Sequence, residues 1–268
     1  MLRSWLLASV LSLLLYPATG LCQTATPFEW PDEAKAAVSL TFDDARPSQV
    51  LKGTAVLDHF GAKATFYVVP DAVNDQLAGW KAAVAAGHEI GNHSMVHPCS
   101  GNFLWARDRA LEKYSLSDMR AELEQANARL KELLGVTPVS FAYPCGQSFV
   151  GRGQQTQSYV PVIADLFVSG RGWLDEAASD PAYVDMAQLT GIEMDGKTFE
   201  EVLAILDQAK ADGGWVVLSG HEMDNAGRQT TRLTMLEKLV PYLQDPANGF
   251  WLDTVGEIAG YVIENREQ

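Results

Sequence analysis

Short apolar runs alternate with longer amphipathic segments along most of the chain. Runs rich in β-branched and aromatic residues predict strands at residues 36–42, 62–69, 88–91, 139–142, 162–169, 184–189, 215–219 and 249–252. Segments with helical periodicity lie between most of them, and this alternation is typical of parallel β/α units. We therefore expect an α/β fold in which seven or eight parallel strands form a complete or incomplete barrel, with an open doubly wound sheet as the alternative.

The clearest helix begins after Ser115. Apolar residues recur in steps of three and four between Leu116 and Leu133, and Ser115 and Asp118 have the spacing of a capping box. Gly135 then provides the stop that often ends a helix. Further helices are predicted at residues 48–60, 75–86, 198–211, 231–243 and 254–264.

The N-terminus has the layout of a secretory signal peptide. Arg3 precedes an apolar stretch over residues 5–16 and a segment of small residues at 18–20. We expect a signal peptide over residues 1–22, one catalytic domain over residues 23–268 with no internal linker, and a secreted or periplasmic protein. A lipoprotein anchor at Cys22 is the less favoured alternative, because Leu21 is large where such signals have a small residue.

Net charge narrows the choice of partner. The chain has 20 Lys and Arg against 34 Asp and Glu, a formal net charge of -14. Nucleic acid and anionic membrane surfaces are therefore not expected to bind. We also predict no membrane span, because the N-terminal apolar stretch is too short to cross a bilayer comfortably. On charge alone, a neutral or cationic polymer is easier to accommodate than a polyanion.

The candidate chemical residues follow predicted strand ends. Asp43 and Asp44 end the first apolar run, and His93 and His97 follow the third. One carboxylate and two imidazoles can hold a divalent metal with open positions, and the second carboxylate could act as a base. Taken alone, an acidic pair after a strand is often a turn or helix cap, and a His-x-x-x-His pair is often incidental.

The spacing of the two histidines predicts a helical turn between them. Residues four apart lie on one helical face, so both rings can reach one ion. Pro98 disfavours helical geometry at His97, and we therefore expect one short turn that ends there.

Four segments, taken in order, resemble the polysaccharide deacetylase (NodB-like) family, carbohydrate esterase family four. They are Thr41-Phe42-Asp43-Asp44, Gly87-His88-Glu89-Ile90-Gly91-Asn92-His93-Ser94 with His97-Pro98, Phe141-Ala142-Tyr143-Pro144-Cys145-Gly146, and Leu218-Ser219-Gly220-His221. The resemblance implies a distorted (β/α) barrel and metal-dependent removal of acetyl groups from an acetylated polysaccharide or oligosaccharide. It also implies that Asp44, His93 and His97 bind the metal, that Asp43 is the general base and that His221 is the general acid. Zn²⁺, or another divalent ion such as Co²⁺, is the implied cofactor, although this ligand set also suits Fe(II).

The resemblance places an oxyanion-stabilising backbone N–H at Cys145, and two features depart from the family's common pattern. Ala142 stands where many members have an arginine that orients the base, and we expect Arg171 to supply that guanidinium. The family's aspartate that supports the catalytic histidine has no clear equivalent, so Glu193, Asp195 and Glu222 all stay open for this role. The residues expected to contact substrate are Tyr143, Trp105 and Trp173.

The remaining expectation concerns Cys99 and Cys145, the two cysteines outside the signal region. In an oxidising compartment, thiols on two loops that line one site tend to pair. We therefore predict a Cys99–Cys145 disulfide, with two buried free thiols as the alternative.

For the activity, we expect hydrolysis of N-acetyl groups. The alternatives are acetyl ester hydrolysis, for example on xylan, and a carbohydrate-binding domain that has lost turnover.

Overall fold

The structure is a computed structural model that describes residues 28–266. The predicted signal peptide and Cys22 lie outside the described residues. The main sheet consists of β1 (Ala36–Asp43), β2 (Thr65–Val68), β3 (Glu89–Asn92), β4 (Ser140–Ala142), β7 (Ser169–Arg171), β8 (Ile192–Glu193), β9 (Trp215–Gly220) and β12 (Phe250–Leu252). Two small sheets pair β5 (Phe149–Val150) with β6 (Gln157–Ser158), and β10 (Glu222–Asp224) with β11 (Thr230–Arg232).

The main sheet is a distorted, incomplete barrel. Its order is β7-β4-β3-β2-β1-β9-β8, β12 pairs with the start of β1, and every pairing is parallel. A single parallel bridge joins Arg171 of β7 to Leu189, just before β8, so the two ends of the sheet approach each other. The predicted α/β barrel is therefore confirmed.

Strand β1 lies at the centre of the sheet and of the core. All eight residues of β1 are buried, and the strand pairs with β2, β9 and β12. Apolar faces of the surrounding helices pack against these strands in one large buried cluster. Because parallel strands share one direction, their C-terminal ends meet at one face of the barrel, and the polar residues that follow them meet there too.

Most of the helices lie in the predicted amphipathic segments, and two, at Pro70–Asp75 and Val160–Leu166, lie where no helix was predicted. They are α1 (Thr54–His59), α2 (Pro70–Asp75), α3 (Leu77–Ala85), α4 (Leu116–Leu134), α5 (Val160–Leu166), α6 (Phe199–Asp212), α7 (Leu233–Gln244) and α8 (Val255–Asn265). Helix α4 has the predicted capping box between Ser115 and Asp118 and ends at Gly135, whose φ is 76°. Within the described residues, none of these helices has both the length and the apolar character that a bilayer span needs.

Two predicted strands are wrong. Residues 162–169 mostly form α5, and β7 begins only at Ser169. Pro161 occupies the first turn of that helix, where its missing N–H costs nothing, and a short apolar run has no periodicity that separates a strand from a buried helix. Residues 184–189 contain a short 3-10 turn at Met186–Gln188, and the strand is β8, which begins at Ile192.

Candidate active site

The adjacent carboxylates of Asp43 and Asp44 have different partners. Asp43 is the last residue of β1 and is 4% exposed. Asp44 and Ala45 have φ values of 74° and 54°, so the backbone turns sharply after the strand. Left-handed conformations are costly for residues other than glycine and cluster at functional sites, and Ser94, His97 and Cys145 also have positive φ values.

Three side chains form a donor set for a metal ion. Asp44 Oδ1 lies 3.4 Å from His93 Nε2 and 3.3 Å from His97 Nε2. Ligands bound to Zn²⁺ at about 2.0 Å in a tetrahedral site lie about 3.3 Å from one another. The three residues therefore fit a divalent ion, and a three-ligand set leaves open positions for water and substrate.

The histidines are held by their second nitrogen or by their backbone. His93 Nδ1 donates to the Ala142 carbonyl at 2.9 Å, which leaves the Nε2 lone pair for a metal. The backbone N–H of His97 donates to Ser94 Oγ at 2.9 Å. Burial, together with the nearby His93, lowers the pKa of His97 to about 4, so its ring is neutral, as a ligand must be.

The helical turn predicted between these histidines is wrong. Residues 93–97 form an irregular loop after β3, and His97 has a φ of 52°. The two rings nevertheless lie 4.7 Å apart, because the loop folds back over the end of the strand. The prediction that both histidine rings can reach one ion is therefore compatible with the structure, but a loop brings them together and a helical turn does not.

Arg171 contacts the carboxylate of Asp43. Its Nη2 donates to Asp43 Oδ1, and its Nη1 donates to the Gly172 carbonyl at 2.7 Å. Arg171 pairs with Ala142 across β7 and β4, so the guanidinium comes from the strand beside the position where many family members have their arginine. Burial would raise the pKa of Asp43, but the positive charges of Arg171 and the neighbouring imidazoles lower it overall.

His221 is paired with Asp195, one of the three carboxylates left open by the sequence. Its Nδ1 lies 2.7 Å from Asp195 Oδ2, and its backbone N–H donates to Asp195 Oδ1 at 3.2 Å. Thr231 Oγ1 also donates to Asp195, at 2.8 Å. Burial alone would lower the pKa of His221, but the bond to Asp195 and the negative charges of Asp43 and Asp44 raise it.

The other two carboxylates have different positions. Glu193 lines the cavity. Glu222 accepts a hydrogen bond from Ser48 Oγ and lies 3.8 Å from Arg46 Nη1. Neither is within hydrogen-bonding distance of the His221 ring in the described structure.

Two residues that the sequence did not single out hold this framework together. Arg46 donates from Nε and Nη2 to Asp44 Oδ2 at 3.1 and 2.9 Å, which leaves Oδ1 for the histidines. The buried Gln49 donates from Nε2 to the carbonyls of Asp43 and His221, at 2.7 and 2.8 Å. Both lie within six residues of the acidic pair, and this proximity is the one signal in the sequence that could have drawn attention to them.

These groups line a cavity of about 820 Å³. Trp173 lies edge-on to His221 with ring centroids 5.4 Å apart, and Trp105 lies 5.8 Å from the His97 ring. Trp105 is 52% exposed and is therefore accessible to a ligand. Tyr143 also borders the cavity, but it is only 3% exposed and its hydroxyl donates to the Ala187 carbonyl at 2.8 Å, so most of the ring belongs to the core.

The predicted disulfide is present. Cys99 and Cys145 are bonded across 46 residues, with their Cα atoms 6.0 Å apart. The bridge connects the loop after His97 to the short turn Pro144–Gly146, and Cys145 lines the cavity. Because the sulfurs are bonded to each other, they are not thiolate ligands for a metal.

The part of the chain that contains most of these site residues matches a known protein family. Residues 31–158 match the family model described as polysaccharide deacetylase, and this range contains the acidic pair, both histidines and the Cys145 turn. This region belongs to the polysaccharide deacetylase family. The resemblance seen in the sequence motifs is therefore confirmed.

Solved structures share the fold over most of the chain. A putative polysaccharide deacetylase from Mycobacterium smegmatis has a TM-score of 0.66 at 18% identity, and the match covers 90% of this chain and 94% of that one. A family 4 acetyl xylan esterase from Clostridium thermocellum, in complex with a cobalt ion, has a TM-score of 0.55 at 23% identity over 86% and 93% of the two chains. A gellan lyase from Bacillus sp is 22% identical over 256 residues, which are 87% of this chain but only 10% of that protein's length.

Proposed function

We propose that this protein is a metal-dependent carbohydrate deacetylase that hydrolyses N-acetyl groups of a glycan. The proposal depends on one observation: the donor set lines the same cavity as two candidate proton carriers, Asp43 and His221, which are held by different partners. The match of residues 31–158 to the polysaccharide deacetylase family supports it. The proposed metal ligands are Asp44, His93 and His97.

The chain's own residues then have separate tasks. A divalent ion such as Zn²⁺ or Co²⁺ supplies Lewis acidity and makes water more acidic when it is bound at the donor set. Asp43, kept ionised by Arg171, accepts a proton from the attacking water. The Cys145 N–H donates to the acyl oxygen as negative charge develops on it.

Proton delivery to the leaving group falls to His221. Its Nδ1–H is committed to Asp195, which fixes the ring and leaves Nε2 to donate to the departing nitrogen. The raised pKa of His221 favours the protonated form that this step requires. A carbohydrate-binding domain without turnover would need neither Asp43 nor the His221–Asp195 pair.

Acetyl ester hydrolysis is the second candidate, and the solved structure of an acetyl xylan esterase supports it. Acetate release from matched N-acetylated and O-acetylated oligosaccharides distinguishes the two. We expect release from the N-acetylated set, loss of release on chelation, and recovery with Zn²⁺ or Co²⁺. Chelator-resistant activity would contradict the metal assignment, and no release from any substrate with metal bound would contradict the enzymatic function.

We also propose that the protein acts outside the cytoplasm. The signal-peptide pattern of residues 1–22 and the Cys99–Cys145 disulfide both support an oxidising compartment. N-terminal sequencing of exported protein should find cleavage near residue 22. Retention of residues 1–22 in protein from the cell exterior, or lipid on Cys22, would contradict the proposed processing.

A further inference from the structure

The active-site cavity has two guanidiniums without an acidic partner, although the chain as a whole is strongly acidic. Arg46, Arg109 and Arg228 line the cavity. Arg46 is paired with Asp44. Within residues 28–266, no carboxylate oxygen lies within 4.0 Å of the Arg109 or Arg228 side chain.

Arg109 also has an unused hydrogen-bond donor. Its Nε is buried and has no acceptor among the described residues. Its guanidinium lies 5.6 Å from the centroid of the Trp105 ring. A buried donor without a partner is costly, so the hydrogen bonding of the Arg109 side chain is incomplete among the described residues.

An aromatic surface lies between this arginine and the proposed metal ligands. Trp105 is 5.8 Å from the His97 ring and 5.5 Å from Phe103, measured between centroids. The Trp105 and Phe103 side chains are 52% and 42% exposed, and they present apolar faces of the kind on which a sugar ring packs. A glycan that reaches the donor set across Trp105 therefore passes Arg109.

The charges around the cavity leave a local positive excess. Asp43 is paired with Arg171, and Asp44 is paired with Arg46. Glu193 is the lining carboxylate that has no cationic side chain within 4.0 Å among the described residues. Among the described lining residues, two guanidiniums and one carboxylate thus lack a salt-bridge partner. Glu122 is a carboxylate outside the lining that interacts with the charge of Arg109, and it accepts hydrogen bonds from the Val96 N–H and the Tyr114 hydroxyl. The net charge of -14 disfavours an anion on the rest of the surface.

We propose that Arg109 binds the carboxylate of an acidic sugar unit next to the acetylated unit, with Arg228 adding positive charge to the same cavity, so that the preferred substrate is an anionic glycan. Guanidinium forks match carboxylates in geometry and charge, and the bond is stronger than a neutral hydrogen bond. The carboxylate can belong to a uronic acid or to a lactyl ether, since both present the same group. The inference rests on the proposed deacetylase function, and it replaces the expectation from net charge alone of a neutral or cationic polymer.

The kinetic test uses matched substrates. Acetate release is measured on acetylated oligosaccharides that contain a uronic acid, on others that contain a lactyl ether, and on carboxyl-reduced forms of both. We expect kcat/KM to be about tenfold or more higher for at least one acidic form, mainly through KM, and to fall steeply with salt. Arg109→Gln and Arg228→Gln should each reduce this preference, and the double variant should abolish it.

Arg107→Gln is the matched control. Arg107 lies with Arg109 in the short 3-10 helix Leu104–Arg109, but it is exposed, donates to the Gly101 carbonyl at 3.2 Å and does not line the cavity. Its substitution should leave the preference unchanged. Equal kcat/KM for acidic and reduced substrates in the wild type would overturn the inference, as would an equal loss of preference in the Arg107 and Arg109 variants.

A binding measurement separates this inference from the deacetylase function. Calorimetry on metal-loaded Asp43→Asn compares the affinity for an acidic oligosaccharide with that for its carboxyl-reduced form. Tighter binding of the acidic form, reduced by Arg109→Gln, supports the carboxylate site even if no glycan releases acetate. Equal affinities overturn it, whether or not the protein proves to be a deacetylase.

Discussion

Asp43 and Asp44 are neighbours in sequence, but their surroundings give them different chemistry. Asp43 is buried at the end of β1 against Arg171, whereas Asp44 turns towards two imidazoles and Arg46. The sharp turn at Asp44 makes this separation, because its left-handed backbone redirects the chain immediately after the strand. One dipeptide can therefore supply a proton acceptor and a metal ligand.

Replacing the proton carriers should separate catalysis from metal binding. Asp43→Asn removes the proposed base and His221→Ala removes the proposed acid, and neither residue belongs to the donor set. We expect each to lower kcat on the order of 10² or more while the metal content of the purified protein stays at the wild-type level. An Asp43→Asn enzyme within a few-fold of wild type would show that this carboxylate is not the base.

Arg46 should control how well Asp44 binds a metal. Its two hydrogen bonds hold Oδ2 and aim Oδ1 at the histidines, so Arg46→Met should weaken divalent-metal affinity about tenfold, as measured by calorimetry. Lys52→Met is the control, because Lys52 is a nearby cation that pairs with Asp224 and does not contact a ligand. Tighter binding by Arg46→Met would mean that the positive charge of Arg46 opposes the metal more than its hydrogen bonds help.

At the scale of elements, a helix could be predicted from the sequence where apolar residues recur at a helical period along the segment. The period of α4 and its caps are contained within residues 115–135, so the helix could be predicted without knowing the fold. The run at 162–169 offered no such repeat, and tertiary packing made most of it a helix. The His221–Asp195 pair and the Gln49 bridge to His221 join residues 26 and 172 positions apart, and only the assembled barrel determines them.

The role of the glycine that ends α4 can be tested by replacing Gly135 with alanine and comparing the result with the same replacement at Gly260. Gly135 ends α4 at a φ of 76°, whereas Gly260 lies inside α8, and an added Cβ meets no atom within 4 Å at either position. Gly135→Ala should lower the free energy of unfolding by about 1 kcal/mol because alanine is strained in a left-handed conformation. Gly260→Ala should instead raise it by about 0.5–1 kcal/mol, and denaturant unfolding that shows the same sign for both would contradict the argument.

At the scale of the molecule, the barrel brings together loops from opposite ends of the chain. β1 pairs with β9, so the acidic pair and His221 meet although paired positions of the two strands, such as Ala37 and Trp215, are 178 positions apart in the sequence. Charge is also distributed unevenly at this scale, since the net value of -14 coexists with unpaired arginines at the cavity. A single net charge therefore describes the average surface and does not describe the site.

The Cys99–Cys145 bridge should stabilise the whole domain as well as its active site. Closing a loop of 46 residues restricts the unfolded chain, and the loop-entropy model gives about 4 kcal/mol for that restriction. The Cys99→Ser, Cys145→Ser double variant should therefore melt on the order of 10 °C below the oxidised wild type. Calorimetric scans of oxidised wild type, thiol-reduced wild type and the variant provide the measurement, and the last two should agree.

The same variant should lose catalytic rate more than it loses metal. The bridge holds the turn that carries the proposed oxyanion donor at Cys145. The variant also removes the 3.6 Å contact between Cys99 Sγ and His97 Nδ1, but the backbone N–H of His97 has a separate bond to Ser94 Oγ. A loosened turn displaces the donor from the acyl oxygen, so kcat should fall at a temperature where the variant is still fully folded. If metal content falls in proportion to kcat, the bridge acts through the His97 loop, and the positioning of Cys145 is not what it provides.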